Sequence, residues 1–173
     1  MTTQWMLNTH GDPLGGVRQF ANTIWQTLDI EKMLAPTNGH PDRTGPRILE
    51  HLDEIEHLNP FTPLMPLNAA TLIPSLLERT APNKAAAMLR PCEMRTLVEM
   101  SKYENFALDG LLTICVDCLG TLPADEYRWR AERKGSSGEL SQEALQFSRQ
   151  GGIVRYRYRA ACQVCLSPEA TLA

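Results

Sequence analysis

The five cysteines are the side chains best suited to chemistry, because a thiolate binds metals and acts as a nucleophile. Two pairs have the Cys-x-x-Cys spacing that lets two sulfurs bind one metal centre, a pattern typical of zinc sites. An odd number of cysteines argues against a closed disulfide framework. The five are Cys92, Cys115, Cys118, Cys162 and Cys165.

The two pairs do not have to supply the four ligands of one site. Cys115 lies in "LLTICVDCLG", an apolar run that predicts a strand, and side chains three apart in a strand point to opposite faces. Cys92 follows Pro91 at a strand-to-helix corner, where the helix dipole is expected to lower a thiol pKa. The predicted ligands are therefore Cys92, Cys118, Cys162 and Cys165, with Cys115 as a core thiol. Five unrelated buried cysteines are the alternative.

The identity of the metal is left open by the spacing. Zinc and an iron–sulfur cluster both accept four cysteines. Pro91 shifts the balance slightly towards iron–sulfur, because prolines often flank cluster cysteines.

The elements that must position these thiols form a strand–helix–strand unit. "KAAAML" predicts a short strand, "CEMRTLVEMSKY" a helix and "LLTICVDCLG" a second, parallel strand. In an open parallel sheet, ligands collect where the strands end, so Cys92 and Cys118 are expected at the same edge.

Further elements flank this unit. Apolar spacing predicts a helix in "GGVRQFANTIWQTLDI", a short strand in "EKMLAPTNG" ending at Pro36, and a helix in "RILEHLDEIEHL". "AATLIPSLLERT" predicts a helix capped by Asn68 and kinked at Pro74. "SQEALQFSRQGG" predicts a helix with Ser141 as N-cap and Gly151 as its end, and "IVRYRYRAAC" predicts a strand.

The expected fold class is α/β: a small mixed or parallel sheet flanked by helices, with a four-cysteine cluster site at the sheet edge. The 173 residues are expected to form a single domain. Apolar residues make up 43% and charged residues 21%, which is typical of a globular protein.

Composition also excludes classes of partner. A net charge of -3 gives no electrostatic case for binding nucleic acid or an anionic membrane. No apolar run approaches the roughly 20 residues that a membrane span requires, and no signal peptide is visible at the N-terminus. The expected location is cytoplasmic.

Basic and acidic residues near the cysteines are weaker candidates for cofactor binding. Arg155, Arg157 and Arg159 share one face of the last predicted strand, where they meet an anionic cofactor or an acidic partner, or simply form a solvated face; the solvated face is favoured. Asp117 is predicted to cap the turn after Cys118, with a hydrogen bond to a cofactor as the alternative. Lys84 is a further candidate cofactor contact.

The same cysteine segments carry a resemblance to a known family. "AAAMLRPCEMRTLVEM", "LDGLLTICVDCLGT" and "RYRAACQVCLSPEATLA" resemble the β subunits of coenzyme F420-reducing hydrogenase and F420-dependent formate dehydrogenase. "PFTPLMPLNAATLIPSLLE" is similar to the bacterial branch of that family. The resemblance extends from about Pro60 to the end, and residues 1–59 are only weakly similar.

This resemblance implies an oxidoreductase subunit for electron transport, with a 4Fe–4S cluster and FAD. The family's cysteine positions match Cys92, Cys118, Cys162 and Cys165. Electrons are expected to pass between the cluster, the flavin and coenzyme F420, a nicotinamide or a partner protein. The expected partners are other redox subunits of a hydrogenase, formate dehydrogenase or heterodisulfide-reductase-type complex.

Two departures from the family accompany the resemblance. The chain lacks the ferredoxin-like cysteine segment with which many members begin, and it ends at "EATLA", where the family continues, so a short or truncated form is expected. The alternative function is a non-redox α/β module whose four cysteines hold a structural zinc ion and serve complex assembly.

Overall fold

A four-stranded mixed sheet forms the centre of the fold, in the order β2-β1-β3-β4. The computed structural model describes residues 6–38, 44–103, 107–134, 137–150 and 157–170. Strands β1, β3 and β4 are parallel, and β2 is antiparallel to β1. The strands are β1 (Lys32–Thr37), β2 (Gly45–Leu49), β3 (Ala85–Leu89) and β4 (Leu111–Cys115). The predicted α/β class, with a mixed sheet flanked by helices, is confirmed.

Helices surround the sheet. The α-helices are α1 (Pro13–Thr27), α2 (Ile73–Glu78), α3 (Pro91–Tyr103), α4 (Ala124–Lys134), α5 (Ser137–Arg149) and α6 (Ala160–Gln163). Two 3₁₀ helices cover Leu52–His57 and Ala69–Leu72. No helix in the described ranges has the length and apolarity required to cross a membrane.

Both faces of the sheet are covered, because side chains alternate along each strand. On one face, Ala86 and Met88 of β3 pack in a cluster with Val17, Ala21 and Trp25 of α1. On the other face, alternate residues of β1 and β3 pack against α2 and α3; this cluster includes Leu34, Ala87, Leu89, Ile73, Leu76 and Leu97. The small alanines of β3 allow helices to approach the sheet closely on both sides.

The predicted strand–helix–strand unit is confirmed as β3–α3–β4. The register of the parallel pair runs from Ala85 opposite Leu111 to Leu89 opposite Cys115. β4 ends at Cys115, earlier than predicted, so Cys118 lies in the loop beyond the strand. β4 is also an edge strand of the sheet and is only half-buried, unlike the fully buried β3.

A third cluster lies outside the sheet and joins α4 to α5. Tyr127 and Ala131 of α4 pack there with Leu140 of α5 and with Leu64 and Leu122 from loops.

The two helices of this cluster differ from the sequence predictions. Helix α4 was not predicted. Helix α5 starts at Ser137, earlier than predicted, so Ser141 lies inside it and the predicted N-cap is wrong. The predicted end at Gly151 is outside the described residues.

The predicted helix over residues 47–58 is wrong. Gly45–Leu49 pairs with β1 over five residues, and only a 3₁₀ helix follows. Strand pairing buries Leu49, whereas a helix would forfeit these ladder bonds. Glu54 begins the 3₁₀ helix by accepting hydrogen bonds from the backbone N–H groups of Glu50 and His51.

Two other predicted elements differ in detail. Asn68 is confirmed as a cap, because its side-chain oxygen accepts a hydrogen bond from Ala70 N at 3.0 Å. Pro74 does not kink a helix interior; it lies in the first turn of α2, where a missing N–H costs nothing. The strand predicted in "IVRYRYRAAC" is wrong where it is described: none of residues 157–159 is in a strand, and Ala160–Gln163 is the short helix α6.

Candidate metal centre

Cys92 lies in the first turn of α3, directly after the carboxyl end of β3. Pro91 opens the helix, because its fixed φ suits the first helical position and its missing N–H would have no partner there. The Glu93 carboxylate is only 2% exposed and accepts hydrogen bonds from Arg90 N at 2.9 Å and Ala69 N at 3.1 Å. This carboxylate fixes the corner that holds Cys92.

Arg90 is a buried cation beside the cysteines, and the sequence analysis gave it no role. The residue is 3% exposed, and its Nη2 donates to the carbonyl oxygens of Thr62 at 2.7 Å and Leu64 at 3.1 Å. Its charge acts to lower the pKa of both Cys92 and Cys118. The only sequence signal for this role is its position immediately before the Pro-Cys corner.

Cys118 lies in the loop after β4, on the same edge of the sheet as Cys92. Its backbone N–H donates to Pro168 O at 2.8 Å, and its sulfur accepts a hydrogen bond from Gly120 N at 3.4 Å. Asp117, predicted to cap this turn, instead accepts a hydrogen bond from Ala170 N at 2.7 Å. Both contacts attach the segment after α6 to the end of β4.

Gly120 shapes the turn through its backbone. Its φ of +93° lies in the left-handed region that L side chains rarely adopt. An added Cβ would also come within 2.5 Å of Cε2 of Tyr158. The turn therefore packs directly against the tyrosine ring, which joins the cluster between α4 and α5.

Cys162 reaches the same turn from α6. Its Sγ lies 3.2 Å from the hydroxyl of Thr121, a residue that is 1% exposed. Arg159, which caps α6, donates its backbone N–H to Thr121 O at 2.9 Å and its Nη1 to Met65 O at 3.1 Å. These bonds hold α6 against the loop that carries Cys118.

Charges on neighbouring thiols affect the pKa values of Cys92 and Cys118. Burial raises the pKa of Cys92, and the charges of Cys118 and Glu93 raise it further, with Cys162 contributing in the same direction. Burial also raises the pKa of Cys118, as does Cys162. The prediction that the helix N-terminus would leave Cys92 with a lowered pKa is wrong, because burial outweighs the favourable charges.

Cys115 and Cys165 occupy different surroundings. Cys115 is the last residue of β4, and burial, followed by the charge of Asp117, raises its pKa to about 11. Cys165 follows α6, with its N–H directed at Cys162 O at 3.4 Å. Its neighbours Val164 and Leu166 are 75% and 94% exposed.

The four-cysteine cluster site predicted at the sheet edge is not shown by the arrangement of the thiols. Within the described ranges, which include all five cysteines, no group of three or more cysteine, histidine or acidic side chains is arranged to hold one metal ion. Cys92 opens onto a shallow groove of about 470 Å³ along α3, lined also by Arg95, Thr96 and Met100.

The residues predicted to contact a flavin are dispersed. Lys84 precedes the amino end of β3, opposite the cysteine edge, and forms an ion pair with Asp29. Arg157 is exposed and lies 3.7 Å from Glu126, and Arg155 falls outside the described residues. Of the three that the structure describes, Asp117 is the one near the cysteines. Flavin binding by these four residues stays a prediction.

Comparison with known proteins adds no assignment: no protein-family model and no curated protein matches this sequence. The resemblance to the F420-dependent β subunits stays a prediction carried by the cysteine segments themselves.

Proposed function

We propose that this chain is an iron–sulfur electron-transfer subunit whose Cys92, Cys118, Cys162 and Cys165 bind a 4Fe–4S cluster. One observation carries the proposal: the sulfurs of Cys118 and Cys162 lie 3.4 Å from Gly120 N and 3.2 Å from the Thr121 hydroxyl, two adjacent residues, and both thiols are near enough to Cys92 to raise its pKa. Cys165 follows Cys162 by three residues and is the natural fourth ligand.

The donor set fits such a cluster. Four cysteines are the usual ligands of 4Fe–4S clusters, and each binds a different iron, so the sulfurs surround a volume. Zinc instead draws its four sulfurs to about 2.3 Å from one point. Cys92, Cys118 and Cys162 come from three separate segments, and Cys165 adds a fourth thiolate donor of the kind that such a cluster binds. The bound cluster would supply one-electron exchange.

Two groups partly offset the burial that raises the pKa of Cys92 and Cys118. Arg90 places a buried cation near Cys92 and Cys118, and Gly120 N–H is directed at the Cys118 sulfur. Both favour thiolates over thiols. Glu93 keeps the first turn of α3 in place, so that the Cys92 sulfur has a defined position.

The wider proposal follows the resemblance. FAD, if bound, would supply hydride exchange with coenzyme F420 or a nicotinamide, and other redox subunits would complete the complex. Exposed Val164 and Leu166 leave the Cys165 side of the centre at the surface, where a partner's redox centre can approach.

The deciding experiment is the metal and flavin content of anaerobically purified protein. We expect four irons and four sulfides per chain and a broad absorption shoulder at about 400 nm. A colourless protein containing one zinc ion per chain would overturn the redox proposal in favour of the zinc module. Flavin released on denaturation reports on FAD separately.

Two matched variants test the choice of ligands. Cys92→Ser is expected to lose most of the iron and the absorption shoulder, because serine oxygen is a poor substitute for a thiolate at iron. Cys115→Ser is expected to keep both. The opposite pattern would show that Cys115, and not Cys92, is a ligand.

A further inference from the structure

The Thr121 side chain is directed at a candidate ligand sulfur. Its Oγ1 lies 3.2 Å from Cys162 Sγ, within hydrogen-bonding distance for a contact to sulfur. The residue is 1% exposed, and its hydroxyl has no other hydrogen-bond partner among the described residues. A buried hydroxyl with a single partner is held to that partner, because leaving a buried donor unpaired is costly.

The direction of this hydrogen bond depends on the state of the sulfur. A thiol or a hydroxyl can each donate, but a metal-bound cysteine is a thiolate and carries no proton. Thr121 must then be the donor. Hydrogen bonds to ionised acceptors are about twice as strong as neutral ones.

We propose that Thr121 is a positioning residue that fixes the Cys162 sulfur and raises the reduction potential of the centre. This inference rests on the proposed function. The hydroxyl donates to a sulfur that becomes more electron-rich on reduction, so the bond stabilises the reduced state more than the oxidised state. Hydrogen bonds to the sulfurs are among the factors that set cluster potentials.

Backbone hydrogen bonds hold Thr121 and Cys162 in fixed positions relative to each other. Thr121 O accepts the backbone N–H of Arg159 at 2.9 Å, which fixes α6 and therefore Cys162 relative to the turn. Gly120 N makes a similar contact with Cys118 Sγ in the same turn. Two successive residues thus direct donors at two different candidate ligands.

The test compares Thr121→Val with Thr121→Ser in the anaerobic protein. Valine keeps the shape of threonine and removes the donor, whereas serine keeps the donor. We expect a more negative midpoint potential for Thr121→Val in a redox titration followed by electron paramagnetic resonance. We expect Thr121→Ser to return towards the wild-type value. Iron content per chain should be unchanged in both.

A measurement on the wild-type protein does not depend on either variant folding. Exchange into D₂O should shift the iron–cysteine stretching bands in the resonance Raman spectrum, because the bound proton is exchangeable. Iron-loaded protein with no isotope shift, or with equal potentials in the wild type and Thr121→Val, would overturn this inference and leave the proposed function intact. Wild-type protein without a cluster would overturn both.

Discussion

The Cys115 thiol, at the end of β4, has a raised pKa and is therefore expected to be a poor nucleophile. Burial and the charge of Asp117 both disfavour its thiolate, and Arg95 opposes them only partly. The resulting pKa of about 11 lies well above the roughly 8.5 of an unperturbed cysteine. Only the thiolate is a nucleophile, so Cys115 should react slowly at neutral pH.

The reactivity of Cys115 should therefore depend steeply on pH. At pH 8 about one thousandth of this thiol is ionised, and its alkylation rate should rise about tenfold per pH unit up to pH 10. Iodoacetamide labelling of the Cys115 peptide, followed by mass spectrometry, measures the rate. An unstructured model peptide with one cysteine is the control; its thiol pKa is about 8.5, so its rate should level off above that pH. The same levelling at Cys115 would contradict the assigned pKa.

Among individual residues, the sequence predicted the Pro91–Cys92 corner but not the roles of Arg90 and Thr121. The corner at Pro91 and Cys92 was visible because proline followed by a helical pattern marks a helix start. Arg90 and Thr121 were missed because their roles depend on partners at Thr62, Leu64 and Cys162. Contacts between residues so far apart in the chain leave no local pattern.

The element that most affects the site is the turn after β4. Gly120 combines a left-handed φ with contact against the Tyr158 ring. A side chain at this position would destabilise the fold in two ways, through the disfavoured backbone conformation and through a clash with the Tyr158 ring. The turn also carries Cys118 and Thr121, so distortion at Gly120 would reach both.

Gly120→Ala should destabilise the protein by about 1–3 kcal/mol, the range expected for a non-glycine residue held in a disfavoured conformation. Urea unfolding gives the free-energy change. Gly11 has the same φ of +93° with no neighbouring atom within 4 Å, so Gly11→Ala isolates the backbone cost. Equal effects of the two substitutions would show that the contact with Tyr158 contributes nothing.

Elements with local signals were predicted well, and those fixed by distant contacts were not. The apolar spacing in α1 and α3 and the alanine-rich run of β3 identified those elements. β2 was taken for a helix because its strand character comes from pairing with β1. α4 was missed because only Tyr127 and Ala131 of its residues are fully buried, which leaves a weak apolar pattern.

At the scale of the whole molecule, one buried hydrogen bond joins the sheet region to the outer helices. Asn59 Nδ2 donates to Ser141 Oγ of α5 at 2.9 Å, across 82 positions of sequence. Both residues are 1% exposed. Asn59 N also donates to Pro36 O at the end of β1, so this residue connects α5 to the central sheet.

Ser141→Ala should lower the free energy of unfolding by about 1–3 kcal/mol, because it leaves the buried Asn59 amide without this acceptor. Ser101→Ala is the control: its hydroxyl bonds to Val98 O at an exposed site on α3, where a change within about 0.5 kcal/mol is expected. Thermal or urea unfolding measures both. Indistinguishable variants would show that the Asn59–Ser141 bond does not stabilise the fold.

The three segments that carry Cys92, Cys118 and Cys162 have a consequence for biogenesis. The last segment is synthesised after all four strands of the sheet, and contacts of Asp117, Cys118 and Thr121 attach it to the earlier ones. A cofactor bound by cysteines of all three segments would therefore join the last segment to the sheet late in maturation.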